Sequence, residues 1–327
     1  MFGFSKVAKF DYLLNSGGKM YSCGGYTTAA SSEVRTYNIA TGAVATGTAM
    51  TRAEWTGAGF SNQIIGMQAG GYSGSAPINT AVRMTFADDT NNSWTWTSTT
   101  MPGTQRNNRG TSSANKGFSW GGFRDPSTQL TANFQYIYAS NTWSSGTALP
   151  LTGSPTITAS YPFIHSSEIQ AIWIGGTADG VTANNKQQMI YTFANDSTSY
   201  TQTGAANFGT LGAAIGDDTR MIAVSGNQTS GSATQTTNIN SYIVSNGTSV
   251  LVTNVPTSFV LCDGAGSTTV GIVCGTFTGQ APTAAQTEGA YNYSANTYTL
   301  LNAYLANNNI YSVKRENVAC FSSSQTD

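Results

Sequence analysis

Short apolar runs separated by polar turns follow one another along the whole chain, and the pattern recurs roughly every 50 residues, a period typical of repeat folds. The clearest marker is an apolar run that ends in a Gly pair or in a single remaining Gly. Successive markers are 46 to 54 residues apart, counted from the first Gly of each. The markers are Gly24-Gly25, Gly70-Gly71, Gly121-Gly122, Gly175-Gly176, Gly226 and Gly275.

Each repeat contains four short runs rich in Thr, Tyr, Val, Ile and Trp, the residue types that fit a pleated, half-buried surface. Gly, Ser and Asn separate the runs, as expected of turns between strands. The runs lack the 3.6-residue periodicity of a helix. A four-stranded sheet cannot bury both its faces alone, so six such units must stack around a ring. The pattern therefore predicts an all-β protein, a six-bladed β-propeller with four antiparallel strands in each blade.

Three features of the repeats resemble the kelch repeat, which is also found in the propeller of galactose oxidase. They are the Gly pair, an aromatic residue in the third run, and a Trp or Tyr that opens the fourth run. The resemblance covers nearly the whole chain and implies the fold, but it implies little about function, because propellers host many activities. The matching residues are Gly70-Gly71, Phe86 and Trp94; Gly121-Gly122, Tyr138 and Trp143; and Gly175-Gly176, Phe193 and Tyr200.

A propeller must join its two ends, because open sheet edges are prone to aggregation. We expect residues 16–327 to form one propeller, in which residues 315–324 supply the innermost strand of the first blade beside residues 19–25. Residues 1–15 are then an N-terminal arm or an extra strand. The alternative is that residues 4–14 supply that innermost strand.

The four cysteines occupy matching positions under C-terminal closure. Cys320 aligns with Cys262 on the innermost strand of a blade, and Cys23 aligns with Cys274 on the neighbouring strand. Two interpretations remain open, buried thiols that pack as small apolar groups or disulfides between adjacent strands. The spacing does not match that of a metal site, so no metal is expected.

Charged residues make up 9% of the chain, against about 25% in an average globular protein, and the formal net charge is −1. Nucleic acids and anionic membrane surfaces attract clustered Lys and Arg, so neither is an expected partner. No apolar run approaches the 18 residues of a membrane span, and the first residues lack the features of a signal peptide.

Candidate catalytic groups are few, and no cofactor is expected. His165 is the only histidine, which excludes the copper site of the galactose oxidase type, and we expect it to be a hydrogen-bonded residue at a strand end. Adjacent acidic residues occur at Asp88-Asp89 and Asp217-Asp218. Each pair falls in a turn, where Asp stabilises the local backbone, so we interpret them as solvated turn residues.

The best candidate for an interaction surface follows from blade geometry. Long polar loops join the second and third runs, and in a four-stranded blade they share a face with the links between blades. The alternative is that these are ordinary solvated loops whose arginines anchor loop carbonyls. The candidate binding residues are Arg52, Arg106, Arg109 and Arg315 in the links, Arg124 at the head of a loop, and Tyr26, Tyr72 and Phe123 after Gly pairs.

A composition poor in Lys and Glu and rich in Thr, Ser, Asn and Gly resembles that of bacteriophage virion proteins. We therefore expect a non-enzymatic virion component, such as a tail fibre, tail-associated or capsid decoration protein, located in the virion. Its expected partners are other virion proteins, contacted through the apolar arm, and a host surface glycan. The alternatives are a carbohydrate-binding lectin, cellular or viral, a glycan-active hydrolase that uses the acidic pairs, and an intracellular kelch-like adaptor; the alternative location is extracellular. The apolar residues of the arm include Phe2, Phe4 and Phe10.

Overall fold

The structure is a computed structural model, and it describes most of the chain outside several loops and the two termini. Some predictions concern residues that lie outside the described part of the chain. They are the predictions for Tyr26, Arg315, Asp218, Gly226 and the N-terminal arm. The described residues are 18–25, 30–124, 128, 130–149, 163–167, 169–175, 187–202, 212–217, 219–224, 237–243, 249–255, 259–266, 269–277, 286–300 and 319–322.

In the described part of the chain, twenty-four strands form six four-stranded antiparallel sheets, which confirms the all-β prediction. Within each blade the strands are given from the axis outward. Blade 1 contains β24 (Ala319–Ser322), β1 (Lys19–Cys23), β2 (Val34–Asn38) and β3 (Val44–Thr46). Blade 2 contains β4 (Ala58–Ser61), β5 (Ile65–Ala69), β6 (Ile78–Thr85) and β7 (Thr97–Gln105). Blade 3 contains β8 (Arg109–Ser112), β9 (Lys116–Trp120), β10 (Asn133–Ile137) and β11 (Thr142–Ser145).

The second half of the ring follows the same order. Blade 4 contains β12 (Phe163–Ser166), β13 (Gln170–Ile174), β14 (Gln187–Thr192) and β15 (Ser197–Gln202). Blade 5 contains β16 (Ala213–Gly216), β17 (Arg220–Val224), β18 (Asn238–Ile243) and β19 (Ser249–Asn254). Blade 6 contains β20 (Phe259–Gly266), β21 (Val270–Phe277), β22 (Gln286–Asn292) and β23 (Thr297–Leu300).

The six innermost strands form a closed ring in the order β24, β4, β8, β12, β16, β20 and back to β24. Closure comes from the C-terminus, because β24 pairs antiparallel with β1, with Met20 opposite Ser322 and Cys23 opposite Ala319. The predicted C-terminal closure is therefore confirmed. Cys23 is buried in the cluster between blades 1 and 2, while the side chains of the other three cysteines lie outside the described part of the structure.

Six apolar clusters account for the described core, and each lies between two neighbouring blades. Tyr21 of blade 1, for example, packs against Met84 and Trp94 of blade 2. Trp120 of blade 3 packs edge-to-face against Trp173 of blade 4, with ring centroids 6.1 Å apart. Because the core is divided among the interfaces, the ring must close before every blade is buried.

The second strands are buried on both faces, which explains why they appear as continuous apolar runs without alternation. All five residues of β5 are buried, as are four of the five in β1, β9, β13 and β17. Successive side chains then face different blades: Met20 contacts the cluster shared with blade 6, and Tyr21 contacts the cluster shared with blade 2.

A polar contact recurs at the outer edge of neighbouring blades. Asn141, Asp196 and Asn296 each adopt a left-handed conformation in the turn before a fourth strand. Each accepts a hydrogen bond from a Tyr of its own blade, Tyr136, Tyr191 and Tyr291 respectively.

Each of these turn residues also binds a side chain of the preceding blade. Arg83 donates to Asn141, Gln135 to Asp196 at 3.0 Å, and Arg220 to Asn296 at 3.1 Å. The turn residue thus connects two blades through their side chains.

Asp89 makes the corresponding contact between blades 1 and 2, and here the prediction of a solvated turn residue is wrong. Its side chain is only 3% exposed, pairs with Lys19 at 2.8 Å and accepts a hydrogen bond from Tyr21 at 2.6 Å. The aspartate is desolvated because blade 1 covers the turn.

Among the described residues, no helix is long and apolar enough to span a membrane.

Candidate interaction surface

The links between blades and the loops after the second strands meet on one face of the ring, which we call the loop face. In blade 2, Trp55 of the link and Tyr72 of the loop exchange backbone hydrogen bonds of 3.1 and 2.8 Å. In blade 3, Arg106 and Phe123 exchange equivalent bonds of 2.9 and 2.8 Å. The prediction that links and loops share a face is confirmed for these two blades.

The Gly pairs allow this close approach. Gly70 and Gly71 have φ angles of 66° and 108°, and Gly121 and Gly122 have φ angles of 58° and 83°. Such angles are strained for any residue with a Cβ atom. A Cβ atom on Gly71 would also lie 2.9 Å from the Trp55 carbonyl oxygen. The repeated Gly pair is therefore required for the link to pair with the loop.

Three predicted residues, Tyr72, Arg106 and Phe123, lie together on the loop face. The guanidinium carbon of Arg106 lies 5.1 Å from the ring centroid of Tyr72 and 5.7 Å from that of Phe123. Trp55, which the sequence analysis did not select, packs edge-to-face on Tyr72 at 5.7 Å. Cation–π contacts of this kind contribute about 0.5–2 kcal/mol each. Among the described residues, these ring contacts and no carboxylate hold the guanidinium of Arg106.

Arg106 and its neighbour Arg124 lack polar partners within the described part of the chain. Arg106 is half-buried, and its Nε atom is buried without a hydrogen bond. Arg124 follows Phe123 directly and is exposed, and only its backbone forms a hydrogen bond, with Thr128. We call Tyr72, Arg106, Phe123 and Arg124 the Arg106 site.

Arg52, one repeat earlier, is used inside the molecule. Its Nε donates to Glu54 at 2.8 Å, and its Nη2 donates to Gln68 at 2.5 Å and to the Gly70 carbonyl at 3.0 Å. This is the alternative interpretation, an arginine that anchors a loop carbonyl, and for Arg52 it is the correct one.

Glu54 is the most unusual titratable group of this region. Its side chain is 1% exposed, and Arg52 is its ion-pair partner. Burial raises the pKa of Glu54 from 4.5 to about 7, and the charge and hydrogen bond of Arg52 oppose that rise only in part. The sequence contained no sign of this, because nothing in the local residues Arg52-Ala53-Glu54-Trp55 indicates burial.

Neutral side chains replace the ion pair in the next link. Gln105, which corresponds to Glu54, donates to the Gly121 carbonyl at 3.0 Å and accepts a hydrogen bond from Ser119 at 2.6 Å. Asn108 donates to the Ala69 carbonyl at 3.0 Å. The signal that could have identified these residues is their position one repeat after the first link.

Arg109 lies one residue beyond the link, so its assignment to a link is wrong. It is the first residue of the innermost strand β8, where it pairs with Trp120 and is 8% exposed. The link ends at Asn108, and three residues of chain are enough to pass from the surface to the interior.

The remaining candidates lie on the opposite face, near the turns between first and second strands. His165 Nε2 lies 3.0 Å from the Asp217 carbonyl oxygen, which confirms a hydrogen-bonded residue near a strand end. Burial would raise the pKa of Asp217, but hydrogen bonds from Thr219 and Arg220 outweigh it and lower that pKa. Within the described residues, no three His, Cys, Asp or Glu side chains are grouped so that they could hold a metal ion.

Comparison with known proteins supports the fold without identifying a family. No protein-family model matches the chain, and no curated protein is significantly similar to it. In contrast, 492 chains of solved structures match it. One of them, titled "Structure of YjhT", aligns with 85% of this chain and 96% of its own length, with a TM-score of 0.67 and 10% sequence identity. At that identity the similarity shows the propeller fold alone, and the likeness to kelch repeats stays a prediction.

Proposed function

We propose that this protein is a non-enzymatic interaction protein, a bacteriophage virion component such as a tail fibre, tail-associated or capsid decoration protein. It contacts a neighbouring subunit or the host surface through the loop face of blades 2 and 3. The observation that carries the proposal is the Arg106 site, where paired backbone segments hold two arginines that have no acidic partner among the described residues. Interface cores are enriched in Arg and aromatic residues.

The use of charge elsewhere supports a structural role. The described ion pairs Lys19–Asp89, Arg52–Glu54 and Arg220–Asp217 stabilise turns, links and blade contacts. Of the acidic pairs considered for glycan hydrolysis, Asp89 and Asp217 are thus occupied by structural bonds in two different blades. The low charge content remains the argument for a virion protein, and it is an argument from resemblance.

Fractionation of virus particles tests this role directly. Particles from a culture that produces the protein would be purified on a density gradient and analysed by quantitative mass spectrometry. We expect the protein in the particle band at a fixed ratio to the major capsid protein. Recovery only in the particle-free fractions would reject the proposal. Secretion without particles would favour the extracellular lectin instead.

A further inference from the structure

We propose that the Arg106 site binds a carboxylate group of a partner protein, an Asp or Glu side chain or a C-terminus. This inference rests on the proposed function and names the chemistry of the partner. The first reason is that Arg106 is held in place before any ligand arrives. Its guanidinium lies over Tyr72 and Phe123, and the backbone hydrogen bonds between Arg106 and Phe123 fix both residues.

The second reason is that no described acidic side chain pairs with Arg106. Arg35, Arg52, Arg83 and Arg220 each donate to or pair with a carboxylate or amide side chain. Within the described residues, the Arg106 guanidinium lies over the two rings and has no carboxylate or amide partner. A half-buried charge without an acceptor is costly, and a carboxylate at the Nη atoms reduces that cost.

The third reason is geometry. A guanidinium presents a planar fork of N–H donors that matches the two oxygens of a carboxylate. The Arg106 Nε atom is buried, so the carboxylate would bind the two Nη atoms at the end of the guanidinium. Arg124, the residue after Phe123, is exposed and carries a second positive charge on the same loop.

The same contacts favour a protein over a sugar as the partner. Sugar binding commonly uses the open face of an aromatic ring. Here the guanidinium lies over Tyr72 and Phe123, Trp55 packs against Tyr72, and Phe123 is only 7% exposed. The rings are used to hold Arg106, so a ligand would bind the hydrogen-bond donors of the arginine and not the ring faces.

Fluorescence anisotropy with a labelled oligoglutamate peptide tests the site in the full-length protein. We expect binding that weakens with salt, at least about tenfold weaker binding for Arg106→Gln, and a smaller loss for Arg124→Gln. Arg106→Lys keeps the charge but loses the fork, and should bind less than half as tightly as wild type. The matched control is Lys116→Gln, which removes one charge near the opposite face, where Lys116 bonds to Gln135; its affinity should stay within about twofold of wild type.

Three outcomes would overturn the inference. They are no oligoglutamate binding by folded wild type, equal losses for Arg106→Gln and Lys116→Gln, and wild-type affinity of Arg106→Lys. An oligogalacturonate probe provides the other arm: binding of this acidic sugar that depends on Arg106, without peptide binding, would replace a protein partner by a glycan. Circular dichroism melting of each variant shows whether it is folded. If the peptide binds in a manner that depends on Arg106 but the protein is absent from virus particles, the virion role is rejected and the carboxylate site is retained.

Discussion

The links that enter blades 2 and 3 have the same backbone arrangement and use their arginines in opposite ways. In the first link, Arg52 neutralises buried Glu54 and anchors the Gly70 carbonyl. In the second, the neutral Gln105 anchors the equivalent Gly121 carbonyl. Arg106 is then free to lie at the surface between aromatic rings. The difference shows that one scaffold can use a positive charge either to close a blade or to lie between aromatic rings at the surface.

Of the substitutions that compare the two links, Arg52→Met should lower the free energy of unfolding most. The change leaves Glu54 buried without its ion-pair partner, and breaking a buried pair typically costs 3–5 kcal/mol. We expect the free energy of unfolding at pH 8 to fall by about 4 kcal/mol. Urea denaturation measures it. A loss below about 1 kcal/mol would mean that the pair is not buried in solution.

Glu54 should make stability depend on pH. Its pKa is about 7 in the folded protein, against 4.5 normally, so the folded state binds the proton more tightly. The stability gained from this tighter proton binding is fully present below about pH 4.5 and is lost as the pH rises to 7. The loss is at most roughly 3 kcal/mol, because one pKa unit is worth about 1.4 kcal/mol.

Glu54→Gln isolates that contribution from other titrating groups. The variant imitates the neutral Gln105 of the next link. Its free energy of unfolding should therefore rise relative to that of wild type as the pH increases from 4.5 to 7. A difference independent of pH would contradict the raised pKa of Glu54.

The Gly pair should stabilise the fold for two reasons, its positive φ angles and the close approach of the link backbone to the glycines. Gly71→Ala places a Cβ atom 2.9 Å from the Trp55 carbonyl, at a φ of 108°. Gly74→Ala is the matched control, because its φ is 96° but nothing lies within 4 Å of the added atom. We expect Gly71→Ala to be about 2 kcal/mol more destabilising than Gly74→Ala in urea denaturation. Equal effects would remove the steric argument.

Arg106→Gln should have the smallest effect on stability, in contrast to Arg52→Met. Only the cation–π contacts are lost, and no buried carboxylate is left behind, so the expected loss is about 0.5–1 kcal/mol. Thermal unfolding monitored by circular dichroism is sufficient to measure it. A loss as large as that of Arg52→Met would mean that Arg106 is a structural residue.

The repeat and its local chemistry could be predicted from sequence, and the partners of individual side chains could not. The Gly pairs, the four runs and the C-terminal closure follow from local pattern and from the need to complete a ring. Asp89 was misjudged because its partner Lys19 is 70 residues away, on another blade.

The candidate site shows the same limit. Tyr72, Arg106 and Phe123 were selected because each lies in a link or after a Gly pair, and the structure brings them together. Arg109 was wrongly included because its position relative to the start of β8 decides its burial. Glu54 was missed because burial depends on how neighbouring blades pack, which the local sequence does not record.

We propose that the loop face of blades 2 and 3 is the contact surface of a virion protein. Cryo-electron microscopy of purified particles, at a resolution that shows side chains, would reveal this contact. We expect a neighbouring protein against the loop face, with one of its carboxylates within hydrogen-bond distance of Arg106. A propeller attached by the opposite face, with Arg106 open to solvent, would contradict it.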